Sequence, residues 1–146
     1  MVDFLIIGPQ SGCWYNEIFP MIRDKKVYLG YIKFLGNRSM KFQDLEGNIY
    51  KATAIWFQNI LFHKVKELVM TKKFEDGYEY FDDYPALSVK SYKEIPMDYY
   101  GLMGMPVMGF LTRWDMRQFD LVETTSPRLN GKVLFENIII KRRRDG

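Results

Sequence analysis

A continuous apolar run near the start of the chain limits the possible folds more than any other feature. The run is Phe4-Leu5-Ile6-Ile7, and it ends at Gly8-Pro9. Apolar residues without polar alternation are typical of a strand that is buried on both faces, usually a central strand of a parallel sheet. We therefore expect this segment to be an inner strand with a neighbour on each side.

The chain after this run predicts one helix and several strands. Residues 14–24 carry apolar side chains three to four positions apart, which favours a helix, and Pro20 should kink or end it. Extended segments are predicted where branched and aromatic residues cluster, at 27–31, 40–45, 49–57, 86–92 and 133–141. Glu46-Gly47-Asn48 is a turn signal, and Asn130-Gly131 is typical of a hairpin.

The remaining segments favour loops. Residues 74–85 are acidic and aromatic, and residues 95–109 contain two prolines and three glycines, which predicts an irregular but ordered loop. Segment 65–71 is compatible with either a strand or a helix, and residues 116–119 with a helical turn. Arg142, Arg143 and Arg144 are predicted to form a basic tail.

The order of these elements predicts the fold class. A strand, a helix, a second strand and a strand returning through a turn place the chain between α/β and α+β, with a mixed, mostly antiparallel sheet and few helices. No repeat, low-complexity tract or linker interrupts the sequence. A single domain over residues 1–146 is therefore the simplest expectation.

The composition excludes several kinds of site and partner. The single cysteine Cys13 and the single histidine His63 allow neither an intrachain disulfide nor a zinc site of the usual ligands. The absence of a signal peptide and of any run of about 18 apolar residues predicts a cytoplasmic protein without a membrane partner. A net charge of +3 and a pI near 8.9 permit a nucleic-acid partner without requiring one.

Ten short segments, in this order and spacing, resemble the EcoRI-type adenine-specific DNA methyltransferase family. None is specific alone, but together they span nearly the whole chain. They are Phe4-Leu5-Ile6-Ile7-Gly8, Glu17-Ile18-Phe19-Pro20, Leu29-Gly30-Tyr31, Trp56-Phe57-Gln58-Asn59, Leu68-Val69-Met70-Thr71-Lys72-Lys73, Tyr84, Ile95-Pro96-Met97-Asp98-Tyr99, Gly101-Leu102-Met103-Gly104-Met105-Pro106, Phe119 and Asn130-Gly131-Lys132. One departure is Gln58, where the family pattern has threonine.

The resemblance implies the C-terminal half of such an enzyme, with part of the methyltransferase-like sheet and a loop-rich target-recognition region. In the family, a donor-binding half comes first, and an Asn-Pro-Pro-Phe type motif precedes the segment that resembles Phe4 to Gly8. This sequence contains no Pro-Pro pair and no Gly-x-Gly donor loop. We therefore expect no catalytic residue, no cofactor in this chain (S-adenosylmethionine serves the complete family enzyme) and no activity alone.

The resemblance also suggests residues that hold a base flipped out of the duplex. Such a base needs an aromatic face, which related enzymes place in the hairpin of the last sheet strands. Trp56 and Phe57 are the candidates for stacking, with Asn59 as a polar contact. The alternative is that at least one of the two aromatic side chains belongs to the core.

The candidates for contact with DNA are basic residues, because phosphate contacts need clustered cations. They are Lys64, Lys66, Lys72, Lys73, Arg113, Arg117, Arg128 and Lys132. The alternative is a solvated charged face, and Asp76, Asp82 and Asp83 would repel nearby DNA.

Three functions remain open: a DNA-binding target-recognition half, a folded non-catalytic remnant, and one half of a split methyltransferase whose donor-binding half is a second chain. The absence of the donor-binding motifs implies a remnant, a separately encoded half or a piece cut from a longer protein. An apolar strand that has lost its neighbours tends to pair with something else. We therefore predict a homo-oligomer that associates through the N-terminal strand region.

Overall fold

A computed structural model describes residues 2–29, 40–52, 54–60, 69–111 and 118–144. The chain divides into two compact units, Met1–His63 and Lys64–Gly146. The units are called unit 1 and unit 2 below and are described separately. The single-domain expectation stays a prediction, since two compact units can belong to one domain.

Unit 1 is built from two small antiparallel sheets and short helical segments. Its elements are β1 (Leu5–Pro9), a 3₁₀ helix (Gln10–Trp14), α1 (Phe19–Arg23), β2 (Tyr28–Leu29), β3 (Met40–Gln43), β4 (Ile49–Ala52) and β5 (Ala54–Gln58). One sheet has the order β1-β5-β2, and the other consists of β3 and β4. Because β5 is antiparallel to both of its neighbours, β1 and β2 run in the same direction. The segment predicted as one strand over 49–57 is therefore two strands in different sheets.

The prediction of a buried central strand near the N-terminus is wrong in position and in burial. β1 lies at the edge of its sheet, and its one strand neighbour is antiparallel. The side chains of Leu5, Ile6 and Ile7 are 52%, 56% and 41% exposed. The run is apolar enough for an inner strand, but within the described residues nothing covers its outer edge.

Pro20 begins a helix rather than ending one. Of the predicted helix over 14–24, only Phe19–Arg23 is α-helical, while Trp14 ends the preceding 3₁₀ helix Gln10–Trp14, and Pro20 occupies the first turn of α1. Proline is tolerated there, because the first N–H groups of a helix have no partner within the helix and the ring presets the required φ. Phe19 and Ile22 of α1 are buried.

Unit 2 is organised by a five-stranded mixed sheet. Its elements are β6 (Glu79–Tyr80), β7 (Leu87–Ser88), β8 (Leu102–Pro106), α2 (Val107–Leu111), β9 (Phe119–Thr125), β10 (Arg128–Leu129), β11 (Lys132–Val133) and β12 (Asn137–Arg142), with 3₁₀ turns at Phe74–Asp76 and Tyr92–Glu94. The strand order is β6-β7-β8-β12-β9, and only the β7–β8 pair is parallel within this sheet. A separate hairpin consists of β10 and β11.

The core of unit 2 lies on both faces of β12. Ile138, Ile139 and Ile140 are fully buried, and β8 and β9 flank their strand on its two sides. The rings of Phe110 on α2 and Phe119 on β9 meet edge to face at 5.8 Å between centroids. Edge-to-face contact is a favourable arrangement of two aromatic rings, so it helps to seat α2 on the sheet.

Several predictions for unit 2 are corrected and one is confirmed. Residues 95–109 are not irregular throughout, since they contain β8 and most of α2. The last strand starts at Asn137 rather than Val133, and Phe119 begins β9 rather than ending a helical turn. The loop predicted over 74–85 contains a 3₁₀ turn and β6. Asn130 and Gly131 adopt φ of 52° and 79° in the tight turn of the β10–β11 hairpin, as predicted.

The fold class is confirmed as α+β, with mixed, mostly antiparallel sheets and two short α-helices among the described residues. Most of the ambiguous segment 65–71 lies outside the described residues. Within the described residues, no helix is both long enough and apolar enough to cross a membrane.

Candidate functional site

Unit 1 contains a cavity of about 430 Å³ with an almost entirely apolar lining. Its walls come from β1, β5, α1 and the segments next to α1, and include Ile6, Ile7, Tyr15, Ile18, Met21 and Phe57. Binding sites for polar small molecules combine an apolar lining with a few placed polar groups. The lining of this cavity is therefore better suited to apolar side chains than to the polar edge of a base or a cofactor.

Phe57 forms one wall of this cavity because two glycines leave room for its ring. A Cβ atom at Gly8 would lie 2.9 Å from Cε2 of Phe57, and one at Gly12 would lie 3.2 Å from Cζ. Any side chain at Gly8 would displace the ring, since real Cβ contacts are longer than this. The Gly8-to-Gly12 segment thus positions Phe57.

The three residues predicted to hold a flipped base, Trp56, Phe57 and Asn59, lie on β5 or directly after it. Trp56 and Phe57 lie on β5, the middle strand, and point to opposite faces because strand residues alternate. Both are half-buried. A role of these residues in stacking a base stays a prediction.

The amide of Asn59 binds the main chain ahead of β1. Its Oδ1 accepts a hydrogen bond from the N–H of Phe4 at 2.9 Å, and its Nδ2 donates to the carbonyl oxygen of Val2 at 3.1 Å. These bonds continue the pairing of β1 with β5 beyond the end of the strand. Asn59 therefore holds the N-terminal segment in this structure.

In unit 2, Lys72 and Lys73 are exposed on a segment whose backbone is tied down. The carbonyl oxygen of Lys72 accepts a hydrogen bond from the N–H of Met97 at 2.8 Å, and the N–H of Lys73 donates to Asp76 at 2.8 Å. The N–H of Phe74 donates to Asp98 at 2.7 Å. Asp76 and Asp98 therefore hold the backbone beside the lysines through hydrogen bonds. The sequence had predicted only that Asp76 would repel nearby DNA.

Arg142 binds the Pro96-Met97 stretch, which is hydrogen-bonded to Lys72. It ends β12 with 8% of its surface exposed, so the predicted basic tail is wrong for this residue. Its guanidinium donates to the carbonyl oxygens of Pro96 (2.9 Å) and Met97 and to the sulfur of Met70. Its Cζ lies 5.2 Å from the centroid of the Tyr100 ring. Among the described residues no carboxylate forms an ion pair with it, so carbonyl oxygens and aromatic rings compensate its charge.

The other two described cations of the predicted set share the β10–β11 hairpin. Arg128 and Lys132 are both exposed, one on each strand. The carboxylate of Asp82 accepts the N–H groups of Asn130 and Gly131, and that of Asp83 accepts the N–H of Arg128 at 2.8 Å. These acids therefore orient the hairpin that carries the cations.

The remaining predicted cations, Lys64, Lys66, Arg113 and Arg117, lie outside the described residues, as does His63. Burial raises the pKa of the Cys13 thiol to about 12, and its side chain is fully buried. A thiol in that state is not a nucleophile at neutral pH.

Comparison with known proteins decides the family. The family model described as adenine-specific methyltransferase EcoRI matches residues 2–144 and so covers both units. The chain belongs to the EcoRI adenine-specific methyltransferase family.

Three relatives of the EcoRI methyltransferase family agree with this assignment. Type II methyltransferase M.EcoRI of Escherichia coli is 30% identical, over 97% of this chain and 50% of the relative. M.MpnI of Mycoplasma pneumoniae is 29% identical (83% and 44%), and M.MgeORF184P of Mycoplasma genitalium is 31% identical (95% and 50%). The chain therefore spans about half the length of the curated relatives it matches. No solved structure matches it.

Sequence reasoning missed an aromatic stack in unit 2 of this family member. The ring of Phe74 is parallel to that of Tyr78 at 6.3 Å and nearly parallel to that of Tyr99 at 5.1 Å. The hydroxyl of Tyr80 lies 3.4 Å from that of Tyr99. Burial, followed by this hydrogen bond, raises the pKa of Tyr99 to about 12. The residues are 25 positions apart in sequence, from 74 to 99, so no local pattern could have revealed the stack.

Proposed function

We propose that this chain is the target-recognition part of an adenine-specific DNA methyltransferase. The observation that carries the proposal is the presence in unit 2 of exposed cations on two anchored segments. Lys72 and Lys73 stand on one, and Arg128 and Lys132 on the other. Cations on segments with a defined backbone path lose little conformational entropy when they contact phosphate, which favours a binding surface over a solvated face.

Contacts connect both segments to β6 in unit 2. The Nδ2 of Asn130, at the tip of the hairpin, donates to Glu79 at 3.4 Å. Glu79 precedes Tyr80, whose hydroxyl contacts Tyr99 of the aromatic stack. Cations beside exposed aromatic rings are a common arrangement at nucleic-acid contacts, since phosphates meet the charges and bases meet the rings.

We propose that the free edge of β1 receives the donor-binding half of the enzyme. β1 is an edge strand with exposed apolar side chains, and a strand of that kind favours pairing with another strand. The relatives are about twice as long as the aligned region, which leaves room for such a half. S-adenosylmethionine would be bound by that half, not by the residues present here.

The same observation favours a second candidate, self-association of this chain through β1. A second copy could cover Leu5, Ile6 and Ile7 when no donor-binding half is present. The two candidates use one surface, so they compete. Adding a donor-binding half from a relative should convert a homo-oligomer into a mixed complex.

The first test of the proposal is DNA binding. Fluorescence anisotropy with an unmethylated duplex at a series of salt concentrations should give an affinity that falls as salt rises. A variant with Lys72, Lys73, Arg128 and Lys132 changed to Gln should bind more weakly. The control neutralises four cations outside these segments, Lys25, Lys26, Lys90 and Lys93. Equal loss in both variants would contradict a specific surface.

The second test is methyl transfer. We propose that these residues alone transfer no methyl group, because the motif that holds the adenine amine in the family is not among them. Labelled S-adenosylmethionine and unmethylated DNA should give background counts with this chain and product only after addition of a donor-binding half. Product from the chain by itself would overturn the proposal.

A further inference from the structure

The hairpin of β3 and β4 in unit 1 is a two-stranded ribbon that pairs with no other described strand. Its two strands pair only with each other, and its residues from Lys41 to Lys51 are exposed apart from a half-buried Asp44. Leu45 at the tip is fully exposed. A two-stranded hairpin is only marginally stable by itself, so something local must hold this one in shape.

Asp44 supplies that local order. Its Oδ1 accepts the N–H groups of Glu46 (3.0 Å) and Asn48 (2.8 Å), and its Oδ2 accepts the Nδ2 of Asn48 (3.0 Å) and the hydroxyl of Tyr50 (3.1 Å). Gly47 takes the positive φ, 88°, that the turn requires. The ribbon is therefore preformed without a hydrophobic core beneath it.

The two faces of the ribbon differ in chemistry. Register places Lys41 directly opposite Lys51 on one face, and Phe42 directly opposite Tyr50 on the other. Like charges placed directly opposite each other destabilise a strand pair. No described carboxylate forms an ion pair with either lysine, so within the described residues this repulsion is not relieved.

We propose that the β3–β4 ribbon is a second DNA-contacting element, in which Lys41 and Lys51 bind a backbone phosphate together. This inference rests on the proposed function, since it takes DNA as the ligand. A phosphate offers several acceptor oxygens and a negative charge, and it would turn the unfavourable lysine pair into a favourable one. A two-stranded ribbon is also narrow enough to enter the major groove of a duplex.

The proposal makes stability and binding move in opposite directions. If the lysine pair is only a solvated surface, removing its charge should leave DNA binding unchanged. If it is a phosphate site, removing charge should weaken binding while it relieves repulsion within the ribbon. Repulsion between the two lysines would then lower the stability of the free ribbon, and a bound phosphate would offset that loss.

The test compares two double variants of the full chain, Lys41→Gln/Lys51→Gln and Lys25→Gln/Lys26→Gln. Both lose two exposed positive charges in unit 1. Only the ribbon variant should bind duplex DNA about tenfold more weakly, and its slope of log K against log salt should be smaller by about 0.9, since the two lysines share one phosphate contact. Lys41→Arg/Lys51→Arg should keep both values.

A second measurement follows the ribbon itself. Lys51→Glu places an opposite charge across from Lys41 and should slow amide hydrogen exchange in residues 41–51 about 1.5- to 5-fold, while DNA binding falls. Unchanged exchange together with unchanged DNA binding would overturn the proposal.

DNA binding by the wild-type chain distinguishes failure of the proposed function from failure of the ribbon inference. If the wild-type chain binds no DNA at any salt concentration, the proposed function fails and this inference fails with it. If the wild type binds DNA and the ribbon variant keeps the salt dependence of the Lys25/Lys26 control, the proposed function stands and the ribbon inference alone is overturned.

Discussion

Two isoleucine-rich strands of similar sequence have opposite environments in this protein. β1 carries Leu5-Ile6-Ile7 and β12 carries Ile138-Ile139-Ile140. The three side chains of β12 are fully buried, whereas those of β1 are 41% to 56% exposed. β12 has a strand on each side, and β1 has one.

The difference shows that neighbours, not composition, decide whether an apolar strand is buried. Apolar surface that leaves water stabilises the folded state by roughly 25 cal/mol per Å². The strand β1 has buried only part of its apolar surface. β12 is therefore a finished core strand, and β1 has apolar surface still available for a partner. Four predictions test this contrast and its consequences.

The largest effect should come from truncating the same residue type in the two strands. Ile139→Ala should lower the free energy of unfolding by about 2–5 kcal/mol, because it opens a cavity in a closed core. Ile6→Ala should cost less than about 1 kcal/mol, because half of that side chain is already in water. Urea denaturation of both variants measures this, and equal losses would remove the contrast.

Arg142→Ala should have the next largest effect, at the end of the buried strand. Loss of the guanidinium leaves the carbonyl oxygens of Pro96 and Met97 without this donor, for a cost of about 2–4 kcal/mol. Arg144→Ala is the control, since Arg144 is exposed and should change stability by no more than about 0.5 kcal/mol. The midpoints of thermal unfolding of the two variants measure this difference. Similar midpoints would mean that the hydrogen bonds of Arg142 do not stabilise the fold.

Placing a charge on β1 should weaken self-association. Ile6→Lys should reduce the association constant about tenfold, or about 1.4 kcal/mol, because a charge at a strand pairing surface opposes edge-to-edge contact. Val133→Lys changes an equally exposed apolar residue in unit 2 and should have no such effect. Sedimentation velocity at increasing concentration measures both, and a wild-type monomer throughout would exclude association through β1.

The smallest effect concerns alkaline pH. Burial, and then the hydrogen bond to Glu123, raises the pKa of Tyr84 from its ordinary value of 10.0 to about 12. The neutral phenol is favoured in the folded state, so its contribution is complete below pH 10 and is lost as pH rises to about 12. Melting temperatures between these pH values should fall more steeply for the wild type than for Tyr84→Phe. Parallel curves would show that this hydrogen bond is unimportant.

Local signals in the sequence predicted only part of the local structure. The Asn130-Gly131 turn was predicted because its positive φ angles are available to those two residues at little cost. Pro20 was misplaced because a proline is compatible with the first turn of a helix as well as with its end, and only the start of α1 decides between them. β9 was not predicted, because Asp120 and Glu123 interrupt its apolar pattern.

The candidate site was predictable only in part, because some of its features depend on contacts between segments far apart in sequence. Exposure of Lys72, Lys73, Arg128 and Lys132 follows from their charge, and the structure agrees. Burial of Arg142 depends on carbonyl oxygens about 45 residues earlier in the chain, so a run of three arginines predicted a tail instead. The Lys41–Lys51 pair depends on the register of β3 and β4, which the sequence alone leaves open.

The side chains that anchor the cation-bearing segments of unit 2 bind main-chain atoms. Arg142 donates to the carbonyl oxygens of Pro96 and Met97, and Asp82 and Asp83 accept N–H groups of the β10–β11 hairpin. A main-chain atom is the same in nearly every residue type, so side chains on the anchored segments can be exchanged without moving the backbone. Such a framework keeps its shape while the side chains exposed on it change, so the surface chemistry of unit 2 can vary by substitution alone.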